Sequence, residues 1–335
     1  MQKLKKILVI GGAGYVGSIL CPKLLKYNYN VRVLDLLIYD PHSLGQCKDN
    51  PNFQFIKGDI RDKKMVENAM QGIDCIIHLA AISNDPTSDL DKNLTKSVNY
   101  EAIKLLLDTA KKQGVKRFIN ASSSSVFGIK KEKNITEELS CNPLTLYSKY
   151  KLKAEKLVNE AGDKNFTAVN IRPATICGYS PRQRFDLTVN ALTYHAITKG
   201  IITVHGGKQR RPNVTIEDIT DLYMRLIDEK KELIGGETFN VGFENMKIID
   251  IARLVKKTLE KRLKKKIKII IKKAFDPRDY HISSKKIKKH LGWRPRYKIK
   301  DMILQLANAF EKGLIKNPED DKYYNIRKMK IEHFQ

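Results

Sequence analysis

Short apolar runs alternate with helical stripes along the first half of the chain. KKILVI (5–10) reads as a buried strand, with a helical pattern behind it to about Tyr27. VRVLD (31–35) and FQFIKGD (53–59) come next, then a helix before DCIIHLA (74–80) and another before KRFINAS (116–122). A long helix starts near Pro143, and FTAVNIRP (166–173) is a further strand. Strand–helix alternation of this kind predicts an α/β fold built on a doubly wound parallel sheet. After Arg172 the pattern turns irregular and rich in loops. A strand-like TFNVG (238–242) and a helix (248–261) then return, and the tail from Lys268 reads as a second, smaller unit.

Composition narrows the class. With 335 residues, 41% hydrophobic and 8% aromatic, the chain can bury a core and is not disordered. Cys21, Cys47, Cys75, Cys141 and Cys177 are scattered without a CxxC pair, which predicts reduced thiols in a cytoplasmic protein. The start, MQKLKKILVIGGAG, has too short an apolar run for a signal peptide. No apolar run approaches the ~20 residues of a membrane span. The formal charge of +26 would suit nucleic acid, an anionic membrane or anionic small substrates. Its densest stretch, Lys256 to Lys273, holds ten Lys/Arg against one acid, Glu260. It reads as a helix end running into a strand, and its charge as a solvated face, so neither nucleic acid nor membrane is an expected partner. His42, His195 and His205 show no metal spacing, and no metal is expected.

The chemistry begins at GGAGYVG (11–17), which ends one strand and opens a helix. Gly12, Gly14 and Gly17 satisfy GxGxxG; Gly11, Gly14 and Gly17 satisfy GxxGxxG. Such glycines permit a tight turn and let backbone N–H groups approach a pyrophosphate at the helix N-terminus. Tyr15 and Val16 lie inside the turn. Asp35 ends the next strand, 18 residues after Gly17. A carboxylate there accepts from ribose hydroxyls and repels a 2′-phosphate, which favours NAD over NADP. Asp59, followed by Ile60 in KGDIRD, either meets the adenine or caps a helix.

In PLTLYSKYKLKAEKLVNEAG (143–162), Tyr147, Tyr150 or Lys151, Ala154, Leu157 or Val158, and Ala161 fall on one face, and leucine, valine and alanine mark it as the inward one. A lysine on an apolar face is rare unless paired. Tyr147 sits one turn before it, and a close ammonium favours a phenolate, so this tyrosine could act as a general base. The alternative is a snorkelling lysine beside a core tyrosine. Four serines, Ser122 to Ser125, follow KRFINA at the carboxyl end of a strand, where open α/β sheets bind ligands.

Together, GGAGYVG, Asp35, GDIRD, HLAA (78–81), SSSSVFG, Tyr147-xxx-Lys151 and RPAT (172–175) resemble the extended short-chain dehydrogenase/reductases, and within them the NAD-dependent nucleotide-sugar epimerase/dehydratase group. The resemblance covers essentially the whole chain. It implies a Rossmann-type NAD-binding domain over 1–175, with a return of about 237–262. It implies a smaller α+β domain for the nucleotide sugar from 176–236 and 263–335. Tyr147 becomes the base, Lys151 the holder of the nicotinamide ribose, and Ser123, five residues before Gly128, the catalytic hydroxyl. Ala80, Ala81, Asn99 and Pro173 match dinucleotide-side positions. Arg211 in QRRPNVTIEDI and Arg278 in DPRDYHIS match arginines on the substrate diphosphate, while Ser124, Thr175, Arg184 and Asn190 match positions near the sugar and nucleotide. Homodimers are usual in the group.

The implied reaction is oxidation at sugar C4 by a Ser–Tyr–Lys relay. Re-reduction would make an epimerase, of the kind used in bacterial-type surface polysaccharide synthesis; release of the 4-keto product would make a dehydrogenase, heptoses included. The group's 4,6-dehydratases carry an Asp-Glu pair directly after the catalytic hydroxyl. Here Ser124 and Ser125 occupy those positions, which argues against loss of water. A non-catalytic NAD-binding regulator would tend to lose the tyrosine or lysine, and both are present.

Overall fold

The first strand, β1 (Lys6–Ile10), has no polar face because the sheet is covered on both sides. Ile7 and Val9 point into one hydrophobic core and Leu8 and Ile10 into another, as the two-residue side-chain period of a strand requires. The computed structural model describes residues 4–132, 134–274, 279 and 281–332.

The chain continues through α1 (Gly17–Lys26), β2 (Asn30–Asp35), β3 (Phe53–Lys57), α2 (Lys63–Met70) and β4 (Cys75–His78). Two short helices, α3 (Asp85–Ser88) and α4 (Lys92–Lys96), lead through a wider π-type turn (97–101) into α5 (Ala102–Lys112) and β5 (Arg117–Ala121). Then come α6 (Leu146–Ala161), β6 (Thr167–Pro173), β7 (Thr175–Cys177), α7 (Thr188–Lys199), β8 (Ile201–His205), β9 (Arg210–Thr215), α8 (Ile216–Asp228) and α9 (Lys231–Ile234). The last stretch holds β10 (Thr238–Val241), β11 (Glu244–Lys247), α10 (Ile248–Leu263), β12 (Lys268–Lys272), α11 (Lys285–Leu291), α12 (Ile299–Glu311) and α13 (Asn325–Ile331).

Seven strands form one parallel sheet in the order β10-β6-β5-β4-β1-β2-β3. The order reverses at β1, and the carboxyl ends of β1 and β4 therefore flank the crevice in which open sheets bind ligands. TFNVG does return to this sheet, as its edge strand β10. The irregular stretch after Arg172 contains β7, β8, β9 and β11, strands of three to six residues too short to show a pattern. They form a three-stranded sheet, β11-β9-β7, and a parallel pair, β12-β8. The helix α10 packs with α7 and α12 around a separate core that includes Ile202, Ile251 and Ile303, whereas α8 lies against the main sheet through Ile219, Leu222 and Leu226.

The long helix starts at Leu146, not at Pro143. Thr145 caps it: its hydroxyl accepts from the Ser148 N–H, and the Ser148 hydroxyl accepts from the Thr145 N–H. The helix cap near Asp59 is in fact Asp62, whose carboxylate accepts from Lys64 and Met65. Lys256 to Lys273 forms the end of α10 and β12, as read from the pattern. Among the described residues no helix is long and apolar enough to cross a membrane.

Candidate active site

A cavity of about 610 Å³ opens at the carboxyl ends of the central strands. One wall is the glycine turn between β1 and α1. Gly11 has φ +80°, and a Cβ on it would meet the Ala80 nitrogen at 2.5 Å. A Cβ on Gly17 would meet the Gly12 carbonyl oxygen at 2.4 Å. These contacts leave the backbone at the cavity wall bare, at the N-terminal end of α1. Gly11, Gly14, Tyr15 and Val16 line the cavity; Gly17 stands behind them.

Asp35 reaches in from β2. One carboxylate oxygen accepts from the Ala13 N–H at 2.9 Å and the other from the Leu37 N–H at 2.7 Å. Burial pushes its pKa up, while those two bonds and Arg182 pull it down. Asp59, Ile60, Ala80 and Ala81 line the same side. The Asp59 carboxylate is held by Arg61 at 2.6 Å.

The opposite wall comes from α6 and the serine turn. Lys151 is 5% exposed. Its Nζ donates to the Ala121 carbonyl at 2.7 Å, at the end of β5, and lies 5.9 Å from the centre of the Tyr147 ring. Burial lowers its pKa from 10.5 to about 8, opposed by the Glu155 charge one turn further on. At neutral pH it stays an ammonium, the state that favours a phenolate beside it. Ser123 caps the short turn 124–127, accepting from the Ser125 N–H, and its hydroxyl is 2.9 Å from that of Ser125. Ser124 is buried. All three serines, with Tyr147, Lys151, Pro173, Thr175, Arg184 and Arg211, face the cavity.

Two expected contacts stand back from it. Asn99 spends its side chain on Ile82, accepting from its N–H at 2.8 Å and donating to its carbonyl at 3.0 Å. Asn190 accepts from the Gly178 N–H at 3.0 Å and donates to the Tyr15 hydroxyl and the Arg184 carbonyl. Each shapes a loop of the wall. Arg184 is bound by both oxygens of Asp186, at 2.9 Å each. Arg278 lies outside the described residues. The pattern of the sequence gave no sign of Arg182, Ser83, Asn325 or Ile326, which also line the cavity. They come from two loops, after β4 and after β7, and from the C-terminal segment, where spacing carries no signal.

Comparison with known proteins agrees with this geometry. Residues 7–242 match the NAD dependent epimerase/dehydratase family. UDP-glucose 4-epimerase of Lactobacillus helveticus is 28% identical, over 94% of this chain and 99% of that protein. An uncharacterised protein of Sinorhizobium fredii is 32% identical over 71% of this chain, which spans only 56% of that relative's length. The crystal structure of UDP-glucuronic acid 4-epimerase from Bacillus cereus, in complex with UDP-glucuronic acid and NAD, is 29% identical with a TM-score of 0.81, covering 92% of this chain and 99% of that one. With its parallel sheet, glycine turn and Tyr–Lys helix in that order, the chain belongs to the NAD-dependent epimerase/dehydratase family of extended short-chain dehydrogenase/reductases.

Proposed function

We propose that this protein is an NAD-dependent nucleotide-diphosphate-sugar epimerase that works through oxidation at sugar C4. The observation that carries the reading is one cavity walled on one side by a glycine turn with Asp35 and on the other by Tyr147, Lys151 and the serine turn. The site fits a dinucleotide: Ala80 and Gly12 pack where side chains on Gly11 and Gly17 would stand, which leaves a backbone cradle. When bound, NAD supplies the hydride acceptor. Tyr147 takes the C4 hydroxyl proton, with Ser123 holding that hydroxyl, and the Lys151 ammonium stabilises the phenolate. After the 4-keto sugar turns over, the hydride would return to the other face of C4 and the proton by the same route. Arg211, and Arg278 beyond the described residues, hold the diphosphate; Ser124, Thr175 and Arg184 face the sugar. In this reading the seven-stranded sheet with its covering helices, α8 included, serves the dinucleotide, and the part built around α7, α10 and α12 serves the nucleotide sugar.

Ser124 and Ser125 support epimerisation over loss of water, because neither hydroxyl is an acid or base at neutral pH. The five unpaired thiols fit a reducing, cytoplasmic setting. A homodimer, as is usual in the group, belongs to this reading and is checked by sedimentation.

The test is incubation with UDP-glucose, UDP-glucuronic acid and related sugar nucleotides, followed by NMR at C4. The expected outcome is the C4 epimer without added cofactor. Stoichiometric build-up of reduced nicotinamide would instead identify a net dehydrogenase. Tyr147→Phe should lower turnover on the order of 10²–10⁴-fold with bound dinucleotide retained. Full turnover in that variant sinks the relay.

A further inference from the structure

Arg182 is a buried cation on which Asp35 and Asp186 act only at a distance. It is 2% exposed and lines the cavity. Its guanidinium lies 3.8 Å from the centre of the Tyr39 ring, and one terminal nitrogen donates to the Asn325 side-chain oxygen. Its Nε has no hydrogen-bond partner, and no carboxylate among the described residues forms an ion pair with it. The nearby acids are engaged elsewhere: Asp186 with Arg184 and Asn84, Asp35 with two backbone N–H groups. Burying a charge is costly unless it is paired, so the arrangement calls for an anion in the cavity.

Its position says which anion. The segment carrying Arg182 is stitched to the glycine turn. The Ser180 hydroxyl donates to the Tyr15 carbonyl at 2.7 Å and lies 2.7 Å from the Ser18 hydroxyl; the Arg182 N–H donates to that Ser18 oxygen at 3.4 Å. Ser18 stands in the first turn of α1, next to Gly17. The guanidinium therefore reaches the cavity beside the helix N-terminus that receives a pyrophosphate. It does so on the side of Asp35 and Tyr39.

The C-terminal segment holds it there. Asn325 takes the guanidinium on one side and donates to the Ser83 hydroxyl at 2.7 Å on the other. Lys322 pairs with Asp40 at 3.1 Å, and Met329 is buried in the core with Leu34 and Ile60. This segment thereby ties the loops after β2 and β4 together across the cavity.

We propose that Arg182, held by Asn325 from the C-terminal segment, is the counter-charge for the pyrophosphate of the bound dinucleotide. The proposal rests on the reading of the cavity as a dinucleotide site. A diphosphate could also come from the sugar nucleotide, so the experiment separates the two. Full-length protein stripped of bound nucleotide is titrated calorimetrically with ADP-ribose, adenosine and UDP. ADP-ribose keeps the pyrophosphate and lacks the nicotinamide, so no turnover is needed. Arg182→Met should weaken ADP-ribose on the order of 10–100-fold and leave adenosine and UDP nearly unchanged. Arg182→Lys, which keeps the charge and serves if the Met variant does not fold, should recover part of the loss. Asn325→Ala should weaken ADP-ribose by a smaller factor. Unchanged ADP-ribose affinity in the Arg182 variants overturns the proposal, and so does a loss confined to UDP. Failure of the wild type to bind ADP-ribose overturns the dinucleotide reading itself.

Discussion

Lys151 owes its behaviour to the helix face it occupies. Ala154 and Val158 bury that face, so the ammonium loses its water and keeps one strong partner, the Ala121 carbonyl. The sign of the pH effect follows. Below about pH 8 the folded and unfolded chains both carry the charge, and the full burial cost is present. Between about 8 and 10.5 the folded chain gives up its proton first, so stability rises with pH. Relative to Lys151→Met, the nucleotide-free wild type should gain on the order of 3 kcal/mol across that window, as measured by denaturant unfolding at a series of pH values. A gap that stays constant with pH would show that Lys151 is not depressed. Tyr147 and Lys151 were legible in the sequence because four-residue spacing on an apolar stripe is a local property. Arg182 was not. SPRQRFD offers two arginines, and only the contacts with Tyr39 and Asn325 show that the first is the buried one without a carboxylate.

At the scale of elements, α6 and β6 meet through an ion pair that continues the face carrying Tyr147 and Lys151. Tyr147, Lys151 and Glu155 recur at four-residue intervals. Arg172 of β6 donates to both Glu155 oxygens, at 2.8 and 2.7 Å, and its guanidinium lies 4.9 Å from the centre of the Phe127 ring, behind the serine turn. The pair thus fixes helix, strand and turn together. Glu155→Leu leaves a buried, unpaired guanidinium and should cost about 3–5 kcal/mol of stability. The double variant Glu155→Leu with Arg172→Met should recover most of it. Chemical denaturation of the three proteins checks this; equal loss in the single and double variants would contradict the pairing. The sequence placed both elements, since long apolar runs and helical stripes are local. It could not pair Glu155 with Arg172, because nothing local links positions 17 residues apart on different elements.

At the scale of the whole molecule, the stretch after β7 and the helix α7 are fastened to the glycine turn. The Tyr15 hydroxyl donates to the Gly178 carbonyl at 2.7 Å, and Asn190 of α7 joins Tyr15, Gly178 and the Arg184 carbonyl in one buried network. Asn190→Leu should lower stability by about 1–3 kcal/mol and loosen bound dinucleotide, because Tyr15 belongs to the cradle. Thermal unfolding with and without NAD reads both effects. An unfolding temperature and NAD-dependent shift equal to the wild type's would show that the network does not couple α7 to the glycine turn. The sequence by itself determined the parallel sheet, the glycine turn with Asp35, and the Tyr147–Lys151 helix with its serine turn. Those rest on periodicity and on motifs confined to a few neighbouring residues. Only the tertiary structure decided that Asn99 and Asn190 brace the wall, that Arg182 stands at the cavity with no carboxylate among the described residues in ion-pair contact, and that Asn325 accepts from it. Each of these depends on which groups satisfy one another once buried, and burial is a property of the folded chain.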